Sequence, residues 1–503
     1  MQELIVTVPK DNRPGYLRIA EGLRQAIQAG RLKPGEKLPS SRALAERLGV
    51  HRHTVIAAMD ELVAEGWLEA GERRVPRVAS VLPSQFFEPK PRGKYQCLKR
   101  KITWQFARNF AESPCGPVEA KPGEFAHVFQ SGQPDLRLFP YSEFRACLAE
   151  SLRRSPAARA GYGTASGHAP FVARLREYLA HMRALTDREI VVTHGTQEGV
   201  FLAAQLLLKP GDKVAVEALG YGAAWDAFRT AGAELVPIRV DENGLDPEAF
   251  EAALKKHRLR LLYLTPHHQY PTTVTLPVSR RMRIYELASR HQLPVFEDDY
   301  DHEFHYRCQP IAPMAVNDPC ELVIYASTLS KVMFPSMRIG FLAVPETLLK
   351  PLSNLRSIIT RQNSVLMQDA VARWMDNGGF ERHLRRMRRV YQERRDALVD
   401  ALTLAKSAGL PLSWLMPDGG MALWLDCAVD SDAVARAAAA AGVYVTAESA
   451  YRIKSAPGTH LRLGFASQTP DEIRAGVRLL SQAVESVAGK APAGRRRRKP
   501  AAA

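Results

Sequence analysis

No stretch of this chain approaches the ~20 consecutive apolar residues that cross a bilayer, which excludes a helical membrane protein. Cysteine is scarce: Cys97, Cys115, Cys147, Cys308, Cys320 and Cys427 are scattered over 503 residues, with no Cys-x-x-Cys pair and no histidine at metal-ligand spacing. That scatter excludes a disulfide framework and a zinc module; the expectation is unpaired thiols in a reducing compartment and no metal. No leader sequence is expected, because Leu4-Ile-Val-Thr-Val8 is too short for an apolar targeting core and lacks its flanks. A cytoplasmic protein without membrane contact is expected. No internal repeat is present.

What is there is an ordinary globular composition, 46% hydrophobic and 24% charged, long enough for two or three domains. The net charge of +16 points to a polyanionic partner, yet it is unevenly spread. Residues 1–80 hold 13 Lys+Arg against 10 Asp+Glu. The excess lies in residues 90–108, with seven basic side chains and no acid, in the arginine-rich Phe380–Arg395, and in Gly494-Arg-Arg-Arg-Arg-Lys499. The last run reads as a disordered basic tail, 489–503.

Periodicity organises the rest. Leu17, Ala20, Leu23 and Ile27 form one helical stripe, ended by Gly30 and Lys33-Pro-Gly35. Pro39-Ser40-Ser41 caps a short helix, Arg42–Leu48, stopped by Gly49. Arg52–Glu65 carries Val55, Met59, Leu62 and Val63 at helical spacing. Three short helices with a glycine turn before the third make a helix-turn-helix pattern. Periodicity fades over 81–121, which reads as a linker. Beyond it, near-continuous apolar runs at 190–193, 213–216, 235–238, 261–264, 294–296 and 322–325 alternate with helical patterns, as strands buried on both faces do. The predicted division is a DNA-binding head at 1–80, the linker, and a body at 122–488 with a large lobe to about 375 and a smaller α+β lobe after it.

Chemistry concentrates around Lys331, in Ala326-Ser-Thr-Leu-Ser-Lys331-Val-Met-Phe-Pro-Ser-Met-Arg338-Ile-Gly340. Upstream, the apolar run Leu293–Phe296 ends in Glu297-Asp298-Asp299-Tyr300. A lysine able to form a Schiff base and a carboxylate suited to a pyridinium nitrogen are the minimum equipment for pyridoxal phosphate. Thr193-His-Gly195-Thr196-Gln197 follows a strand and opens a helix, where free backbone N–H groups favour a phosphate. Thr328, Ser330 and Arg338 add hydroxyls and a guanidinium beside the lysine.

The head text, from Tyr16-Leu-Arg through Leu38-Pro-Ser-Ser-Arg42 to Leu48-Gly-Val-His-Arg52-His-Thr54, resembles the winged helix-turn-helix of the GntR family. The resemblance implies that the third helix enters the major groove of double-stranded DNA. His51, Arg52, His53 and Thr54 would then meet base edges, with Ser41 and Arg42 near phosphates. The family's Gly-x-Gly-Thr wing is replaced here by Glu69-Ala-Gly-Glu-Arg-Arg74-Val-Pro-Arg77, so a different hairpin is expected, with Arg73, Arg74 and Arg77 left for phosphates.

The body resembles the fold-type-I aminotransferases, an α/β fold. That resemblance implies pyridoxal phosphate on Lys331, Asp298 at the ring nitrogen, Tyr300 at the 3-oxygen and Tyr221 stacked on the ring. It places Gly195, Thr196, Gln197, Thr328, Ser330 and Arg338 around the phosphate and Arg462 at a ligand carboxylate. In Gly161-Tyr162-Gly163 it sends Tyr162 to the phosphate of a partner subunit, in a head-to-tail homodimer.

Head and body together resemble the MocR subfamily of GntR regulators, through Phe129-Gln-Ser-Gly-Gln-Pro-Asp135, Thr265-Pro-His-His-Gln-Tyr-Pro271, Glu297-Asp-Asp-Tyr-Asp-His-Glu-Phe304 and His383-Leu-Arg-Arg-Met-Arg388. Pro271-Thr-Thr273 departs from the family's Pro-Thr-Gly, and Leu219 stands where a proline is usual. A Cβ at 273 is expected to narrow or reorder the loop over the cofactor. The expected function is a DNA-binding regulator that holds the cofactor and responds to an amino compound or to the cofactor itself. Two alternatives stand beside it: a working aminotransferase tethered to DNA by the head, and a DNA-binding protein that uses the body only to dimerise.

Overall fold

The computed structural model describes residues 6–9, 11–69, 76–82, 116–117, 119–121, 123–130, 132–153, 161–306, 311–454 and 456–489. The chain divides into two compact units, 1–109 and 110–503. Arg73 and Arg74, most of the expected linker and nearly all of the expected tail lie outside the described residues.

In the first unit, α1 (Gly15–Gln28), α2 (Ser41–Leu48) and α3 (Arg52–Ala64) enclose a small core. The α1 stripe is Ile19, Ala20, Leu23 and Ile27; Leu17, expected in it, is only half-buried. Helix α2 starts one residue before the predicted Arg42, because Ser40 is the cap: its hydroxyl accepts from the Ala43 N–H at 3.3 Å. Gly49, at φ 63°, ends the helix in the left-handed conformation that glycine tolerates. Leu68–Glu69 pairs antiparallel with Arg77–Val78 as the base of a wing.

In the second unit, a seven-stranded sheet runs in the order Glu189–Thr193, Gly340–Val344, Val323–Thr328, Val295–Asp299, Leu259–Leu264, Lys213–Glu217, Glu234–Ile238. Every neighbouring pair is parallel except those of Gly340–Val344, which is antiparallel to both its neighbours. The six expected runs are six of these strands. The strand Gly340–Val344 is an addition, closed by Pro345. Parallel strands share one carboxyl edge, so the segments after Thr193, Glu217, Leu264, Asp299 and Thr328 emerge side by side, which is where such sheets bind ligands.

The smaller lobe is a four-stranded antiparallel sheet in the order Ser413–Trp414, Ala422–Asp426, His460–Gly464, Thr446–Ala447. Helices Gly379–Ser407 and Pro470–Ala488 accompany it. Part of the arginine-rich run is structural: Arg394 is buried and donates to Asp135 at 2.7 Å.

Candidate functional site

The carboxyl edge opens into a cavity of about 430 Å³. Lys331 ends a short 3-10 turn after the strand Val323–Thr328, and its Nζ donates to the Gly132 carbonyl at 2.8 Å. Gly132 has φ +72°, a conformation that favours glycine, and a Cβ there would fall 2.8 Å from that Nζ, so the amine would have to shift. Burial holds the lysine below its usual range, with Arg462 adding to the effect against Asp301 and Asp298. A larger share of the amine is therefore neutral and nucleophilic.

Asp298 lies within its strand, not at its end as expected, and is 4% exposed. Tyr263 donates to its Oδ2 at 2.8 Å, while Oδ1 is buried without a hydrogen-bond partner. Burial, reinforced by Asp299, pushes its carboxyl up to about 7 despite Tyr263 and Lys331. Such a group is a ready counter-ion for a ring cation.

At the other end of the cavity, Gly195 caps the helix Thr196–Leu207. Arg338 donates to the His194 carbonyl at 2.5 Å, which sets its guanidinium over the helix start; a Cβ on Gly195 would sit 3.2 Å from it. Thr328 Oγ1 donates to Ser330 Oγ at 2.9 Å, and the buried Thr196 Oγ1 has no hydrogen-bond partner. Helix start, guanidinium and hydroxyls form one anion cradle.

Arg462, in the central strand of the smaller lobe, is 2% exposed. It donates to the Pro271 carbonyl and, at 3.4 Å, to Tyr300, and lies 4.4 Å above the Tyr270 ring. Thr273, two residues after Pro271, has φ +65°, which explains why glycine suits this position. A β-branched residue there is strained by roughly 1–2 kcal/mol. Thr273→Gly is expected to raise the melting temperature through a net gain of about 1 kcal/mol, since glycine's extra unfolded-state freedom offsets part of the relief. Calorimetry checks this, and a lower midpoint would show that the threonine side chain outweighs its strain.

Eleven of the predicted residues line this one cavity: Lys331, Asp298, Tyr300, Tyr221, Gly195, Thr196, Gln197, Thr328, Ser330, Arg338 and Arg462. Tyr162 does not: it is 82% exposed, with Arg361 4.8 Å from its ring centre. Gly132, Tyr263, Tyr270 and Glu119 also line the cavity and were not predicted as site residues. Tyr270 and Gly132 sit inside motifs quoted above, so a signal existed. Tyr263, an aromatic in an apolar strand, reads as core. The orphaned Asp298 oxygen, the lysine amine in the cavity wall and the anion cradle fit the pyridoxal phosphate that the resemblance implies.

In the head, Arg42, His51, Arg52 and His53 are exposed; Ser41 and Thr54 are half-buried. Arg52 Nε donates to Ser41 Oγ at 3.2 Å, and the His51 and His53 rings stack at 5.3 Å. The start of α3 thus presents a compact, donor-rich face.

Comparison with known proteins agrees with both units. Residues 133–480 match the model of the aminotransferase class I and II family, and residues 15–78 match the bacterial regulatory proteins of the GntR family. The probable rhizopine catabolism regulatory protein MocR of Rhizobium meliloti is 33% identical over 93% of this chain and 94% of its own. The HTH-type transcriptional regulator TauR of Rhodobacter capsulatus is 29% identical over 93% and 96%. Among solved structures, the α-aminoadipate aminotransferase LysN of Thermus thermophilus, complexed with N-(5'-phosphopyridoxyl)-L-leucine, superposes with a TM-score of 0.68 at 27% identity, over 73% of this chain and 94% of that one. The chain belongs to the MocR-type members of the GntR regulators, in which a helix-turn-helix head precedes a class I and II aminotransferase body.

Proposed function

We propose that this chain is a DNA-binding transcription regulator whose body holds pyridoxal phosphate at Lys331 and responds to an amino compound or to the cofactor itself. The observation that carries the reading is the half-buried Lys331 and the buried Asp298 in one cavity, on the same chain as an exposed helix start built from His51, Arg52 and His53. Bound pyridoxal phosphate supplies an aldehyde that amines attack and a ring that withdraws electrons. The chain's residues do the rest. Lys331, its amine kept partly neutral, would be the residue that holds the aldehyde. Asp298 would face the ring nitrogen, and Tyr221 and Tyr300 would hold the ring and its oxygen. Thr196, Gln197, Thr328, Ser330 and Arg338 would hold the phosphate. Arg462 would take the carboxylate of an amino ligand.

The body acts as a head-to-tail homodimer in the cytoplasm, with the exposed Tyr162 reaching the partner's phosphate, so that two heads read two half-sites. Relatives that align over the head as well as the body carry regulator names, which favours this reading over a tethered aminotransferase. The test selects duplexes from a random pool with the full chain, then compares Arg52→Ala. A bidentate guanine contact is worth about 1–3 kcal/mol, so the variant should lose roughly ten- to a hundredfold in affinity for the selected site. Equal affinity would overturn Arg52 as a reading residue. An affinity for that site unmoved by pyridoxal phosphate with any of a panel of amines and amino acids would overturn the sensing role.

A further inference from the structure

Successive strand residues point to opposite faces of a sheet, so while Asp298 faces the cavity its neighbour Asp299 faces away from it. There Asp299 Oδ2 accepts from His302 at 2.7 Å and from Tyr325 at 2.6 Å, and the His302 ring stacks on His267 at 4.4 Å. His267, Asp299 and His302 are 4%, 2% and 1% exposed. Both ring nitrogens of His267, Nε2 of His302 and Oδ1 of Asp299 are buried without a hydrogen-bond partner. Folded interiors rarely leave even one such group unsatisfied, and here they converge. One donor atom from each of the three residues lies within 4.8 Å of the others. Donors about 2.0–2.2 Å from a zinc-sized ion in a tetrahedral array stand about 3.4 Å apart, so the three must draw together by up to roughly 1.4 Å to hold an ion, with the fourth position left to a water.

Charge favours a cation. Five carboxylates lie buried between Glu297 and Glu303, against the buried guanidiniums of Arg183 and Arg281. The neighbouring His268 is already committed, with Nδ1 2.7 Å from Asp301.

We propose that His267, Asp299 and His302 form a structural site for a late first-row divalent ion of the zinc class, two imidazoles and a carboxylate being a donor set that such ions favour. The ion would clamp the loop after the strand Leu259–Leu264 to the end of the strand Val295–Asp299. Those two segments carry Tyr270 and Tyr300 into the cavity. The spacing rules that excluded a metal from the sequence missed this set because His267 comes from one segment and Asp299 and His302 from around the end of another strand, well further along the chain.

Full-length, tag-free protein from zinc-supplemented culture should hold about one zinc per chain by elemental mass spectrometry, with cofactor loaded or stripped. The content should fall below about a tenth in His267→Phe, which keeps a ring for the stack, and in His302→Asn. X-ray absorption at the zinc edge should show only nitrogen and oxygen neighbours. Wild-type protein with less than about a tenth of an equivalent of any divalent transition metal, and a melting temperature unmoved by added zinc, would overturn the proposal. So would sulfur in the zinc shell, or zinc fully retained in His267→Phe.

Discussion

Lys331→Ala is expected to abolish covalent capture of pyridoxal phosphate by this protein. Wild-type chain treated with cofactor and borohydride should carry one phosphopyridoxyl group on the peptide containing Lys331; the variant should carry none. Its visible absorbance should also wash out on dialysis. The reason lies in the surroundings of the amine: it is half-buried in the cavity wall, donates to the Gly132 carbonyl, and is held below its usual protonation range. Among the described residues Lys331 is the one lysine that lines the cavity, where the anion cradle would fix the aldehyde nearby. The variant keeps Asp298, Arg338 and the start of the helix Thr196–Leu207, so weak, reversible binding should survive. An undiminished adduct in the variant would show that another residue is the point of attachment. The same variant separates the functional readings. Operator affinity that no longer responds to cofactor and amines places sensing at this lysine. A response retained in full means that the body serves to dimerise and that regulation lies elsewhere.

Much of this was legible in the sequence, for identifiable reasons. The strands of the large lobe, except the edge strand Glu234–Ile238, are largely buried on both faces, so they appear as unbroken apolar runs, and glycine or proline marks the turns between them. The residues of the anion cradle and Lys331 follow such runs directly, so order along the chain predicts order along the sheet edge. What sequence misplaced is equally physical. Glu297, Asp298 and Asp299 were read as a strand end because carboxylates break an apolar run, yet all three are inside the strand. Glu297 belongs there because its carboxylate accepts from the Met314 and Ala315 N–H groups, and burial with Asp299 nearby pushes it up to about 7 despite those bonds and Arg281. Gly340–Val344 is a five-residue apolar run that follows directly on the lysine segment, so no separate strand stood out there. Tyr162 is exposed and does not line the cavity, and where it docks in an assembly is something that local pattern cannot encode. The buried histidine pair was invisible because stacking and orphaned nitrogens are three-dimensional facts.

Arg183 carries the largest stability prediction. Arg183 and Glu303 form an ion pair in which both side chains are wholly buried. Arg183 also donates to Tyr325, which donates to Asp299 at 2.6 Å, and Tyr178 donates to Glu303 at 2.6 Å. Arg183→Ala would leave Glu303 as an uncompensated charge in the interior, a loss of about 3–5 kcal/mol. Urea unfolding followed through the fluorescence of the buried Trp225 and Trp374 should register it as a lower midpoint with an unchanged slope. Removing both charges tests the cause. Arg183→Met with Glu303→Gln takes away the orphan and should regain most of the loss, because a buried pair contributes little net stability over apolar partners of similar volume. If the double variant were as unstable as Arg183→Ala, the cost would be the cavity left by the long side chain and not the stranded carboxylate. The predicted loss reaches the site through one short path: without Arg183, Tyr325 and Asp299 lose their anchor, and Asp299 is the backbone neighbour of Asp298. Arg183→Ala should therefore weaken pyridoxal phosphate binding as well as stability, and the double variant should recover stability more fully than cofactor affinity.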